Sequence, residues 1–513
     1  MKKYVFLSVL GLSFGLTQAQ DINDALRYSQ TNINGTARFR AMGGAFTALG
    51  GDLSAISINP ASSAVFNNSQ AGFTLSNYNI KNKSDYFGTT SSEKENDFDL
   101  NQAGGVLVFE DYSGSKWGKL SFAINYDNMS SFIDENSSRG INPNNSIGNY
   151  FLNQANGIPL DLLQTRPDET SGDLYIYLGE NYGNQYQTAF LGYDTYILEA
   201  SDPDNLDNTS YYSNVPSGSY NQSVYNTQTG YNGKLAFNVA TEYNKRFYFG
   251  LNLNAHIVNY NKVSTFYENN VNPSNSIGET TVRSIHYQTD LYTYGSGFSF
   301  QLGGIARVTD DFRMGLTYQS PTWYRLYDEL VQGVSVSRIE SDSPNLLNAY
   351  FNPGIINIYP EYRVQSPAKY TIGGAYVFRD FGLISIDYSM KDYSGTRLKP
   401  KSDDFFRFQN ELMADVLDVT SEVRVGAEAK IKQWSIRAGY NYEQSPYKNG
   451  KTIGDLQQYS AGLGYNFGAT KLDLAYSRAS REYNQALFNT GLTDTSKIEM
   501  TTNNVFLTLL FEF

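Results

Sequence analysis

Residues 247–257 read FYFGLNLNAHI. In an extended chain successive side chains point to opposite sides, so Phe247, Phe249, Leu251, Leu253 and Ile257 share one face and Asn252, Asn254 and His256 the other. The same two-residue period recurs at 119–127, KLSFAINYD, where Leu120, Phe122, Ile124 and Tyr126 oppose Ser121, Ala123, Asn125 and Asp127. It recurs again at 422–431, EVRVGAEAKI, and at 434–443, where Trp434, Ile436, Ala438 and Tyr440 oppose Arg437, Asn441 and Glu443. Such alternation predicts strands with one apolar and one polar face.

Extended along the chain, the pattern predicts strands at 70–80, 98–110, 118–128, 231–243, 246–267, 285–308, 311–328, 363–378, 381–393, 419–431, 434–445, 456–467, 470–482 and 500–513. A soluble sandwich also alternates, but its turn lengths follow no rule of parity. Here they do. Connections after even-numbered strands are short, such as Asn244-Lys245, Thr309-Asp310, Arg379-Asp380, Lys432-Gln433 and Gly468-Ala469. Those after odd-numbered strands are long and polar: 81–97, 129–230, 268–284, 329–362, 394–418, 446–455 and 483–499. An even strand number, short turns on one side and long loops on the other are the pattern of an outer-membrane barrel. The fold expected is an all-β, antiparallel transmembrane barrel of about fourteen strands, with both termini at the short-turn, periplasmic side.

The N-terminus fits that address. Lys2 and Lys3 precede an apolar run at 4–16, and Thr17-Gln18-Ala19 offers small residues for cleavage after Ala19, so 1–19 is read as an export signal. That run is too short for a spanning helix, and no other apolar run approaches the ~20 residues one needs. Tyr and Phe cluster at strand ends, as in Tyr440 and Tyr442, Tyr465 and Phe467, or Tyr376 and Phe378, which suits aromatic girdles at the membrane interfaces. The final strand, NVFLTLLFEF at 504–513, is apolar and ends on Phe513, like the terminal signal that barrel assembly machinery reads. Surrounding lipid of the outer membrane of a Gram-negative cell is thus one partner.

Composition excludes several chemistries. The absence of Cys rules out disulfides and thiolate metal sites, and two histidines, His256 and His286, do not build a multi-His centre. No metal and no cofactor are expected, and scarce His argues against a haem ligand, although Tyr could serve as one. A net charge of −12 with no basic patch argues against a nucleic-acid partner. No P-loop or HExxH motif is found, and GLSFG at 11–15, which fits GxSxG, falls within the export signal, so no GxSxG survives as a catalytic motif. Ser284 near His286 does not by itself make a nucleophile–base pair, so no enzyme is expected.

The lumen-facing residues carry both signs: Glu242, His256, Arg307, Arg313, Asp387, Glu422, Arg424, Glu428, Lys430, Arg437, Glu443, Lys471 and Asp473. That favours a wall cross-linked by ion pairs and bound to a plug over an ion-selective pore. Arg307 and Arg313 are candidate contacts for a ligand carboxylate. In the longest insertion, 129–230, the apolar run at 158–163 is the helical candidate. LLNAYFNPGIINI at 346–358 is apolar in a second loop. Such segments form a ligand groove or partner surface, or else pack on each other to close the mouth.

One stretch departs from the barrel pattern. Residues 35–62, GTARFRAMGGAFTALGGDLSAISINPAS, are rich in Ala, Gly and Ser, as suits a segment folded in a confined lumen. The organisation expected is therefore a signal at 1–19, a plug or hatch at 20–68, and a barrel at 69–513 with the loop insertion at 129–230. Asn59-Pro60-Ala61 reads as a fixed turn, since Pro locks φ and disfavours helix for Asn59. Gly43-Gly44 and Gly50-Gly51 read as flexible joints of a gate.

RFRAMGGAFTALGGD at 38–52, followed by Ser54-Ala55 and Asn59-Pro60-Ala61, resembles the N-terminal region of the FadL-type outer-membrane transporters. The resemblance is sharp over about thirty residues and architectural beyond them. It implies a fourteen-stranded barrel with an N-terminal hatch, and passive uptake of hydrophobic compounds such as long-chain fatty acids or aromatic hydrocarbons. It also implies lateral escape of ligand through a gap at a kinked third strand. The third strand here has no Gly or Pro to mark a kink, whereas Gly104-Gly105 in the second is a candidate bend in the wall. The alternative is a non-transporting structural barrel, a partner in outer-membrane protein secretion or assembly that engages protein through 129–230.

Overall fold

The structure, a computed structural model, describes residues 21–30, 32–271, 280–340, 345–379 and 381–513; the export signal read at 1–19 lies outside them. Among the described residues fourteen strands form one wall: β1 Gln70–Tyr86, β2 Thr89–Glu110, β3 Trp117–Ser131, β4 Tyr220–Tyr243, β5 Phe247–Asn270, β6 Thr281–Arg307, β7 Phe312–Gln319, β8 Lys369–Val377, β9 Gly382–Asp392, β10 Val419–Ile431, β11 Trp434–Glu443, β12 Leu456–Asn466, β13 Thr470–Ala486 and β14 Thr495–Glu512. Each pairs antiparallel with the next. β14 returns to β1, from Gln70 opposite Glu512 to Asp85 opposite Lys497, so the barrel closes.

The two faces separate as the alternation requires. On β5, Phe247, Phe249, Leu253 and Ile257 are exposed while Asn252, Asn254 and His256 are buried in the lumen. An exposed apolar band repeated around the wall is stable against hydrocarbon and costly against water. At the periplasmic end the turns are tight. Asn244 and Lys245 both take positive φ, 53° and 55°, the two-residue turn whose twist matches that of its strands.

Several loop expectations need correction. Residues 81–97 are not a loop: β1 and β2 stay paired up to Tyr86 opposite Thr89, leaving only Phe87 and Gly88 as the turn. Both faces are polar there, so the hydropathy signal ends before the hydrogen bonding does. The ladder likewise carries β13 to Ala486 and starts β14 at Thr495. β7 is continued by Trp323–Ile339, which pairs with β6 and with a returning line of short strands, Leu346–Phe351, Asn357–Ile358 and Tyr362–Gln365.

The insertion after β3 begins as a strand, Asp134–Asn142, paired with the upper part of β4. Helices Gly148–Ala155, Ser171–Tyr182 and Asn184–Asp194 follow. The apolar run at 158–163 is not a helix. Only Leu160–Leu162 makes a 3-10 turn, after Pro159 in extended geometry, and Leu160 and Leu163 serve as buried anchors. The helix Ser171–Tyr182 forms instead where Thr170 and Asp173 make a capping box. Phe151, Leu178, Phe190 and Leu191 pack with Phe266, Ile285, Val336 and Phe351. The insertion and the second loop thus share one core over the mouth.

Candidate functional site: a filled lumen and a split wall

The lumen is filled at two levels. At the lower level α2, Ala37–Ala41, and the 3-10 turns Ser54–Ser57 and Pro60–Val65 touch the wall backbone to backbone. A Cβ at Gly426 would meet the Met42 carbonyl, one at Gly439 the Gly43 amide, one at Gly315 the Thr47 carbonyl, and one at Gly250 the Pro60 carbonyl. These wall positions carry glycine because the plug backbone occupies the side-chain space. Directional bonds then fix the fit. Asn59 Nδ2 donates to the Thr47 carbonyl at 2.7 Å and the Gly304 carbonyl at 3.1 Å, while its Oδ1 accepts from the Ala61 amide at 3.1 Å. Thr47 donates through N and Oγ1 to Asp387, and Asn252 and Gln301 donate to the carbonyls of Ile56 and Ser57.

The glycine pairs are turns in the left-handed region: φ is 61° and 75° at Gly43 and Gly44, and 63° and 66° at Gly50 and Gly51. Charge contributes less than the two-signed lumen suggests. Among the described residues one ion pair crosses from plug to wall, Arg38 Nε to Glu428 at 2.9 Å. Several others knit the wall to itself, as in Arg437 with Glu428 at 2.6 Å and with Asp473 at 2.5 Å. Arg307 and Arg313 face each other across β6 and β7 at the periplasmic end, where Arg313 Nη1 donates to the Leu49 carbonyl at 3.0 Å. Both stand below the plug, not beside the apolar upper lumen.

At the upper level the filling is apolar. The described N-terminal residues are not at the periplasmic rim: α1, Ile22–Arg27, lies high in the barrel. Ala25, Leu26 and Tyr28 pack with Val258, Tyr324, Leu326, Tyr362, Val364 and Phe406, and the helix Asp404–Val416 joins the same cluster through Met413. The physical reason is burial, because this is where Leu26 and Tyr28 find an apolar surround. Arg27 is accommodated by Asp24 at 2.5 Å and by the Tyr260 ring at 4.0 Å.

Between the levels the wall divides. β2 and β3 pair only from Gln102 opposite Asp127 to Glu110 opposite Lys119. Above that, β2 follows β1, while β3 and its continuation Asp134–Asn142 follow β4. The continuation runs along the lumen side of the β1–β2 hairpin. Asn82 Nδ2 donates to Asp134 and to the Glu135 carbonyl at 2.6 Å, Ser91 Oγ to the Ser137 carbonyl at 2.6 Å, and Ser138 Oγ to Ser496 at 2.7 Å. Gly104 and Gly105 are not the bend, for they sit in unbroken ladders with both β1 and β3. The irregularity is Asn101, an extra residue between Gln102 and Leu100 opposite Thr74 and Leu75. Such a bulge bends a strand without glycine.

The plug closes the inside of this split. Asn32 N donates to the Met129 carbonyl at 3.2 Å and Asn34 Nδ2 to the Asn128 carbonyl at 2.6 Å, both on β3. Gly35 N donates to Asn101 Oδ1 at 2.6 Å on β2, and the Tyr78 hydroxyl of β1 to Asn34 Oδ1 at 3.2 Å. Phe132, where β3 turns inward, meets the Tyr28 and Tyr260 rings at 6.2 and 5.2 Å. The residues that sequence reasoning missed are therefore Leu26, Tyr28, Asn32, Asn34, Asn101, Asn128 and Phe132. The available signal was the loss of alternation in NMSSFI at 128–133.

Chemically, the arrangement is an apolar compartment filled by a short helix, beside a seam held by a few hydrogen bonds. Among the described residues no cluster of His, Asp or Glu could hold a metal ion. A family described as outer membrane protein transport protein (OMPP1/FadL/TodX) matches residues 203–509. Among solved structures, a FadL homologue of Pseudomonas aeruginosa aligns at 13% identity and TM-score 0.51, covering 94% of this chain and 99% of that one. The Pseudomonas putida toluene transporter TodX aligns at 14% identity and TM-score 0.49, covering 94% and 100%. No curated protein matches the sequence.

Proposed function

The chain belongs to the outer membrane protein transport family (OMPP1/FadL/TodX) of Gram-negative outer membranes, and from that premise we propose that it is a passive uptake channel for hydrophobic compounds, long-chain fatty acids in particular, gated by its N-terminal segment. The observation that carries the reading is α1 in the apolar compartment, next to a strap across the β2–β3 split. Hydrophobic packing is non-directional, so an acyl chain can replace Leu26 and Tyr28 against the same wall. Withdrawal of α1 pulls on 32–35, which holds Asn128 and Asn101 from inside, and opens a path to the side.

A narrow polar cavity beside the compartment is lined by Lys369, Ser389, Lys391, Tyr393, Glu422 and Glu443; Lys369 is paired to Glu422 at 2.6 Å, so Lys391 is the cation there for a carboxylate head group. Lys391 Nζ has the Ser29 carbonyl at the end of α1 as its hydrogen-bond acceptor, so a carboxylate and α1 compete for it. Arg307 and Arg313, below the plug at the periplasmic end, lie off this sideways path. The 129–230 insertion, packed with the second loop in one core over the mouth, favours a second reading as a partner-binding barrel without transport.

Uptake of labelled oleate by cells with and without the gene separates the two, since equal uptake sinks the transport reading. For the gate, the absence of native Cys allows Asn34→Cys and Asn128→Cys to be joined uniquely by a short bifunctional thiol-alkylating crosslinker. Uptake is expected to fall on crosslinking and to persist without it; unchanged uptake after crosslinking removes the strap from the path.

A further inference from the structure

We propose that the outward face of the barrel above β7 and β8 binds the phosphate of an outer-leaflet glycolipid through a row of cations, Arg325, Arg363 and Lys399. The register puts Arg325 opposite Arg363, and Arg363 opposite Lys399, across three adjacent strands. Their neighbours Tyr324, Leu326, Val364 and Leu398 are buried in the lumen cluster, so the row faces out. The Arg363 side chain is 57% exposed.

The level of the row is set by rings. Phe298 and Trp323 stack one pair below it, with centroids 6.4 Å apart and planes at 13°, and Tyr294 and Tyr327 stack one pair above, at 5.4 Å and 18°. Aromatic belts of this kind mark the membrane interface, the depth at which lipid phosphates lie. Below the row, Phe298 and Trp323 are exposed apolar surface suited to acyl chains.

The row is short of negative charge. Like charges directly opposite in a sheet repel, in a chain whose net charge is −12. One carboxylate stands near. Glu361 accepts from the Tyr327 hydroxyl at 2.7 Å and lies 3.5 Å from Arg363 Nε. Its carboxyl is held below the usual range by that hydroxyl and by the charges of Arg325 and Arg363. Lys399 Nζ donates to the neutral Gln365 at 2.8 Å, and Arg397 adds a further cation beside Gln365. A phosphate, with several acceptor oxygens and up to two charges, bridges paired guanidinium groups in a way a single carboxylate does not.

The test compares full-length wild type with the triple variant Arg325→Ala, Arg363→Ala, Lys399→Ala. Both are extracted in mild detergent, and the glycolipid retained is read by native mass spectrometry. The variant is expected to retain about tenfold less phosphorylated glycolipid, because each basic residue near an anionic surface adds attraction. Dephosphorylated glycolipid is retained equally and weakly by both proteins, and millimolar inorganic phosphate does not displace the lipid from wild type. Equal retention of phosphorylated glycolipid by the two proteins overturns the site. Full displacement by inorganic phosphate overturns lipid docking in favour of a soluble anion. If the triple variant does not assemble, Arg363→Gln gives the same comparison with a smaller loss.

Discussion

The two fillings of the lumen are held by different physics. The lower plug touches glycines of the wall and satisfies its backbone through Asn59, Asp387, Asn252 and Gln301. α1, above it, is held mainly by Leu26 and Tyr28 against aromatic and aliphatic wall residues. Hydrogen bonds demand position, and a polar group left unpaired in a buried site is penalised. Apolar contact demands only volume and exclusion of water. The contrast teaches which part a hydrophobic ligand can displace: α1 yields to a molecule of similar shape, while the lower plug has no equivalent substitute.

The comparison breaks most decisively at the wall glycines. Gly315→Val puts atoms into the Thr47 carbonyl and is expected to unseat the plug at a cost of about 3 kcal/mol. Proteolysis of the plug with the barrel still heat-modifiable on gels is the readout. Gly304→Val, whose Cβ meets nothing closer than ordinary contact, is the silent control. If both variants behave alike, backbone proximity is not what seats the plug.

Leu26→Ala tests the other side of the contrast, removing about 2–3 kcal/mol of packing from α1. Oleate uptake is expected to rise while barrel stability stays unchanged; a fall in uptake means that α1 contributes to the binding site itself. Asn59→Ala should cost about 2 kcal/mol by leaving the Thr47 and Gly304 carbonyls without this donor. It should loosen the plug without changing affinity for ligand in the upper compartment. A comparable effect is expected from Gly50→Ala with Gly51→Ala, each forced into the left-handed region at about 1 kcal/mol, the Gly50 Cβ also meeting the Val65 side chain at 2.6 Å. Permeability should change more than assembly. Loss of the folded barrel on heat-modifiability gels would instead make this stretch part of the structural core.

Legibility in the sequence follows the same division. Alternation such as that of residues 247–257 identifies strands wherever one face meets lipid, because apolar and polar neighbours must then alternate. It fails at 81–97, where one face of a hairpin that stays hydrogen-bonded meets water and the other meets the polar strand Asp134–Asn142, so both faces are polar. The plug shows in composition, since backbone approach to a wall requires small residues, and Asn59-Pro60-Ala61 is the turn its residue types imply. The bend in the wall does not show. The expectation at Gly104-Gly105 looks for a flexible residue, whereas the structure bends by inserting one residue, Asn101, into the ladder.

What the sequence by itself determined is the period, the parity of the turns and hence a closed barrel with a plug. These are consequences of which face each side chain takes, a property of neighbours one and two residues apart. Only the tertiary structure decided that α1 fills the upper lumen and that β2 parts from β3. It also decided that Asn34 meets Asn128, and that Arg325, Arg363 and Lys399 form one row. Those contacts join residues far apart in the chain, and closing the barrel is what brings them within reach. The local pattern carries no record of which distant partner a lumen-facing asparagine or an outward arginine will meet.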